Sequence, residues 1–293
     1  MKYEKCSKDN PNKLTIKQHV IPVESLKRFA GDDGCVQVRW AKENKILTLK
    51  PKNEFFILSR VWDERSESGW MKRIEDRFQD MAENVLSGQI EFIAGDHAWT
   101  LAQYFSLLYW RSRQKRQIKT EIQINDLSGT HLTLEEEERL EKNHYIFMRQ
   151  DGRISSRFLT GLHLQVRVDQ YALQIKDWTW GVIQAQAGEF LMPDVLSHNV
   201  VPLTPKVVLA ANHPNGTVGK TNLKKINTAF LVYSWNYFVA RNIATAMAGI
   251  SHKEILKAAK VRDMRIASGE ILQGPLPAAA DALKPTHSET QHH

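Results

Sequence analysis

Trp70, Ile74, Phe78, Met81 and Val85 recur three or four positions apart and draw one apolar stripe along residues 66–87. That spacing predicts an amphipathic helix, with Glu67, Lys72, Glu75, Asp76, Arg77 and Asp80 mainly off the stripe and Gly88 as its stop. A second long helix is predicted over 96–117, apolar in its first half and basic in its second, with Leu101, Phe105, Leu108 and Tyr109 buried. Residues 118–129 read as a connection, 134–148 as a third helix, and 155–164 as the start of a fourth. Glu135 to Glu138 fall in the first turn of the third, where carboxylates favour the positive end of the dipole.

Period-two patterns occupy the two ends of this helical block. Residues 18–23 read as extended, 24–29 as one helical turn, and Gly31-Asp32-Asp33-Gly34 as a turn before a strand over 35–40. Short strands are predicted at 178–183, 189–192, 200–203 and 206–211. Residues 221–250 return to a helical pattern. The order strands, helices, strands, helix predicts an α+β fold: a short antiparallel or mixed sheet, built from N-terminal and central strands, packed against several long helices. The expected organisation is a mobile leader (1–13), one α+β domain (14–265) and a disordered tail (266–293), with a split near residue 150 as the alternative.

The chain of 293 residues is 42% hydrophobic and 25% charged, with eight Trp and eleven Phe, so a core needs no disulfide. Cys6 and Cys35 form no metal-type pair, which fits a reducing, cytoplasmic setting. No secretory signal and no bilayer-length apolar run is visible, so no membrane partner is expected. The net charge of +7 permits contact with nucleic acid or another polyanion. The basic run Arg111 to Arg116 offers phosphate contacts, or simply complements a helix C-terminus.

Gln18-His19-Val20-Ile21-Pro22 carries the chief candidate chemistry. His titrates near neutrality, and the proline stiffens the segment around it. His19 suits proton transfer or metal ligation; the structural alternative is an imidazole that shapes its own loop. The run also resembles the opening of HNH-type metal nucleases, although the downstream Asn and His are missing and Gln18 stands where a ligand is common. Glu75, Glu189 and Asp194 are acidic candidates, Asp194 equally suited to an Asx-turn. Residues 214–221 end in Gly-Lys-Thr like a P-loop, but Pro214 replaces its first glycine and little chain remains for a magnesium-binding Asp.

Gln18-His19-x-x-Pro22 with Leu26 and Phe29, Met71-Lys72-x-Ile74-Glu75, Leu101 to Arg111, Phe190 to Asp194 before Pro202-Leu203-Thr204-Pro205, and Ile226-Asn227 with Asn236 occur in an ordered series. In that series the chain, from about Lys17 to about Ala248, resembles the bacterial family catalogued as domain of unknown function 4238. The resemblance implies an organisation and candidate positions without an assigned activity. Met192-Pro193-Asp194-Val195 departs from the family's Ser before and Asn-Pro after the Asp, and Arg111-Ser112-Arg113 lacks its proline.

Two function classes follow. The first is a metal-dependent phosphodiesterase or nuclease in a defence or conflict setting. In it His19, with Gln18, is catalytic; Glu75 and Asp194 hold a divalent ion, magnesium or manganese; and Arg111 holds a phosphate. The second is a non-enzymatic binding or regulatory module that contacts an acidic partner.

Overall fold

The computed structural model describes residues 4–40, 45–114, 121–196 and 199–267. Lys115 and Arg116 lie outside the described residues, as do residues 268–293 of the tail expected to be disordered over 266–293; its first two residues, 266 and 267, end a helix. In chain order the elements are β1 (Lys17–His19), α1 (Val23–Lys27), β2 (Val36–Trp40), β3 (Ile46–Leu49), β4 (Ile57–Ser59), α2 (Lys72–Leu86), α3 (Asp96–Gln114), β5 (Glu121–Gln123), α4 (Leu134–Lys142), β6 (Arg153–Ser155), α5 (Ser156–Gln174), β7 (Trp180–Ala185), β8 (Met192–Pro193), β9 (Val200–Thr204), β10 (Val207–Ala211), β11 (Gly216–Val218), α6 (Lys220–Tyr233), β12 (Tyr237–Ala240), α7 (Ile243–Ala246) and α8 (His252–Ala267). The architecture is α+β. They gather into two compact units interleaved in sequence.

Unit 1 comprises Met1–Pro22, Lys52–Ile90 and Gly95–Asp177. Its core is α2, α3 and α5. The α2 stripe is buried as its spacing predicts, and Gly88 (φ 77°) ends the helix in the left-handed region that glycine enters freely. A wider π-type turn over Arg65–Met71 leads into α2. Phe78 stacks on Tyr104 of α3, while Phe105 and Tyr109 stack on Tyr171 of α5. α4 opens on a reciprocal cap between Thr133 and Glu136 but stops at Lys142, short of the predicted 148, and His144 follows with φ 69°. Two strand pairs border the helices: β1 antiparallel to β4, and β5 antiparallel to β6. β5 lies in the stretch expected to be a mere connection.

Residues 4–13, expected as a mobile leader, carry anchoring contacts instead. The Glu4 carboxylate accepts from Arg149, Arg157 and Ser155, the Ser7 amide donates to Glu138, and so does the Asn12 side chain.

Unit 2 comprises Val23–Pro51, Glu91–Ala94 and the chain from Trp178 onward. One antiparallel sheet has the order β3-β2-β12-β8, so the N-terminal hairpin pairs with strands from the other end of the chain. The remaining central strands form a second, mixed sheet, β11-β7-β10-β9, with β11 parallel to β7. The expected helix over 221–250 is interrupted: Ser234 ends α6, and the run Tyr237-Phe238-Val239-Ala240, all buried, forms β12. The P-loop-like segment is likewise occupied by an extended strand, β11, before α6 begins. Phe190, Val208, Phe230, Ala240 and Ala258 belong to the core beneath α6 and α8. Asn227, fully buried on α6, donates to the carbonyls of Glu189 and Ala246 and accepts from the Leu191 amide, so one side chain staples three segments. Among the described residues no helix is long and apolar enough to cross a membrane.

Candidate functional site

β1 alternates inward and outward, which turns Gln18 into the core and leaves His19 half-buried. Gln18 Nε2 donates to the Trp62 carbonyl at 2.8 Å, and Oε1 accepts from the amides of Val61 and Trp62 at 2.7 and 3.2 Å. The amide therefore clamps the backbone that leaves β4. This bracing replaces the catalytic role expected of Gln18.

His19 Nε2 is buried and has no hydrogen-bond partner among the described residues. Burial lowers the imidazole's pKa below 6.5, and the nearby charges of Arg111 and Lys52 lower it further. Both effects favour the neutral, proton-accepting form of the ring. Its backbone carbonyl accepts from Arg111 Nη1 at 3.4 Å.

Arg111, 2% exposed on α3, is surrounded. Nη1 donates to Glu75 on α2, and Nη2 lies 3.7 Å from Glu67 Oε2. Nε and Nη2 each approach Met71 Sδ at 3.2 Å, and the guanidinium carbon sits 5.2 Å from the centre of the Trp62 ring. Trp62 Nε1 in turn donates to Glu67. Burial raises the Glu67 pKa although Arg111 and the Trp62 donor oppose it. Two carboxylates share one guanidinium here. An incoming phosphate would meet their charge and displace them, so Arg111 is not placed to hold one.

Asp194 lies in unit 2, directly after β8. Oδ1 accepts from the Trp235 amide at 2.7 Å, and Oδ2 from the Asn236 amide and side chain at 2.9 and 3.0 Å. Asp194 therefore organises the turn from α6 into β12, the Asx-type alternative rather than the metal-ligand role. Glu75, the other expected ligand, is committed to Arg111. Glu189 accepts from Arg241. Among the described residues no group of three or more His, Cys, Asp or Glu side chains is arranged to hold a metal ion. The expected set thus divides: His19, Glu75 and Arg111 meet within unit 1, and Asp194 serves unit 2.

Two further polar groups in unit 1 had no sequence signal. Glu141 of α4, 2% exposed, accepts from Arg60 at 2.6 Å and from Arg157 at 2.7 Å, and Arg157 also reaches Glu4. Ser68 Oγ lies 3.2 Å from His144 Nε2, the spacing of a nucleophile and its base, but it donates its single proton to the Glu64 carbonyl at 2.9 Å. That hydroxyl is a structural donor.

In unit 2, α8 carries exposed Lys253, Lys257 and Lys260, none with an ion pair or hydrogen bond among the described residues. Leu256 and Met264 are exposed beside them, 57% and 63% respectively. The inward residues Ala258 and Arg262 are buried. The i, i+4, i+7 spacing of these lysines is readable in the sequence and was the available signal. No protein-family model, curated protein or solved structure matches the chain.

Proposed function

We propose that this chain is a binding or regulatory module for an acidic partner, engaged through the lysine face of α8. The observation that carries this reading is the three exposed lysines without an ion pair among the described residues, whereas Arg111 of the expected site is committed to Glu75 and Glu67. Unpaired cations on one helix face attract a polyanion, and the attraction weakens with salt. The direct test is salt-dependent binding to heparin, used as a generic polyanion. Wild type should bind at low ionic strength, and K253E/K257E/K260E should lose binding with its circular dichroism unchanged. Equal binding by the two proteins, or none by wild type, refutes the reading.

We further propose membership in the family catalogued as domain of unknown function 4238. That reading rests on the ordered series of sequence motifs from Gln18 to Asn236.

A metal-dependent hydrolase built on His19 is a second reading, favoured by one observation: a buried imidazole Nε2 with no hydrogen-bond partner among the described residues. Turnover of DNA or RNA with magnesium or manganese, abolished in His19→Ala, would support it; absence of turnover in both proteins would remove it.

A further inference from the structure

The outward side of α8 does more than carry charge. At 100° per residue, Lys253, Leu256, Lys257, Lys260 and Met264 fall within an arc of about 100°, roughly opposite Ala258 and Arg262. No acidic residue falls inside the arc. Glu254 turns toward α6, where it pairs with Lys224, and Asp263 lies just beyond the edge beside Arg262. Val261, 37% exposed, borders the other edge. The face runs for roughly 16 Å along the helix at 1.5 Å per residue.

Charge alone would suit any polyanion. The interleaved aliphatic side chains discriminate among them. A phosphodiester backbone rewards ammonium groups but offers nothing to Leu256 or Met264. Base recognition draws on arginine forks and aromatic platforms, and the arc holds neither. A bilayer interface rewards both kinds of residue at once. Lysine stems lie along apolar surface while their ammonium groups stay among headgroups, and exposed aliphatic side chains enter the acyl boundary.

Resting on the acidic-partner reading above, we propose that the α8 face docks on an anionic bilayer surface. Lys253, Lys257 and Lys260 engage the headgroups, and Leu256 and Met264 enter the acyl boundary. The helix lies along the surface and does not span it.

The test is sedimentation of the full chain with vesicles of phosphatidylcholine alone and of phosphatidylcholine mixed with phosphatidylserine, beside heparin binding measured in the same buffer. Wild type should partition onto the mixed vesicles and far less onto the neutral ones. Each lysine near an anionic surface contributes about fivefold, so K253E/K257E/K260E should lose at least about 100-fold and should also lose heparin. L256S/M264S should lose about tenfold or more on vesicles while its heparin binding stays unchanged, because only the bilayer reads those two residues. Leu256→Trp should shift its fluorescence to the blue on mixed vesicles only. All substituted positions are exposed, so an unchanged circular dichroism spectrum accompanies each variant. Heparin binding without vesicle binding overturns the bilayer inference and leaves the polyanion reading standing. Full vesicle binding by L256S/M264S also overturns the inference. Binding to neither heparin nor vesicles overturns both.

Discussion

Arg111 of α3 donates to Glu75 of α2, and the same guanidinium also faces Glu67 from within the helical core. The pair that sequence reasoning assigned to phosphate and metal is therefore a cross-helix brace. Removing the cation takes the ion pair from Glu75 and leaves Glu67 facing it with the Trp62 donor. Arg111→Leu should destabilise unit 1 by about 3–5 kcal/mol. Urea unfolding followed by far-ultraviolet circular dichroism measures it, and an unchanged midpoint would show that the brace contributes nothing.

Asp194 satisfies two backbone amides and one side-chain amide at the entry to β12. Asp194→Ala strips the acceptor from buried donors and should cost about 2–4 kcal/mol. Trp235, whose amide is one of those donors, should report the change in near-ultraviolet circular dichroism. A variant as stable as wild type would return Asp194 to the list of residues held for another purpose.

Glu4 supplies a pH signature. Burial pushes its carboxyl up, but the charge of Arg157, hydrogen bonds from Ser155 and Arg149, and the charge of Arg149 more than offset this and bring it down to about 2 from an ordinary 4.5. A depressed carboxylate contributes stability that is present above 4.5 and is lost as pH falls from there through about 2. Glu4→Gln should therefore lower stability at pH 7 by about 2 kcal/mol, allowing for partial exposure, and the gap should narrow on acidification. Chemical unfolding of both proteins at pH 7 and pH 3 gives the comparison; a constant gap contradicts it.

His19 acts in the opposite sense. Its lowered pKa means that the unfolded chain binds the proton more readily, so stability falls as pH drops below 6.5. His19→Gln should flatten this dependence while leaving the far-ultraviolet spectrum intact. Stability measured from pH 7.5 down to pH 5.5 checks the slope, and parallel curves for the two proteins would rule out the imidazole as its source.

Gly161 of α5 is pressed against the buried side chains of Asp63 and Ser66, and a Cβ there would overlap the Asp63 carboxylate and the Ser66 hydroxyl. Gly161→Ala should gain helix propensity of up to about 1 kcal/mol yet destabilise overall by about 1–3 kcal/mol through overpacking. A higher melting temperature in the variant would show that the two side chains relax freely.

The long helices were legible because their burial is periodic. Ile74, Phe78, Met81 and Val85 lie inward as their spacing demands, and Gly88 marks the stop. β12 was not legible: four apolar residues following an apolar helix look like its continuation, and only pairing with β2 makes them a strand. The candidate site was half legible. Residue type singled out His19, Glu75, Arg111 and Asp194, but their partners decide their roles. Glu67 lies eight positions from Glu75 and 44 from Arg111, and no local rule joins the three. The leader misled for the same reason, since its polar composition hides the fact that Arg149 and Arg157 wait for Glu4 about 150 residues later.

The pairing of β2 with β12 also sets a schedule for synthesis. β2 leaves the ribosome with β3 as its only sheet neighbour, and its other edge stays open until Tyr237–Ala240 emerges nearly 200 residues later. At roughly 5–20 residues per second that edge is exposed for about ten seconds or more. Nascent chains that stall before β12 therefore display an unsatisfied strand, the kind of surface that chaperones shield and that neighbouring polypeptides capture.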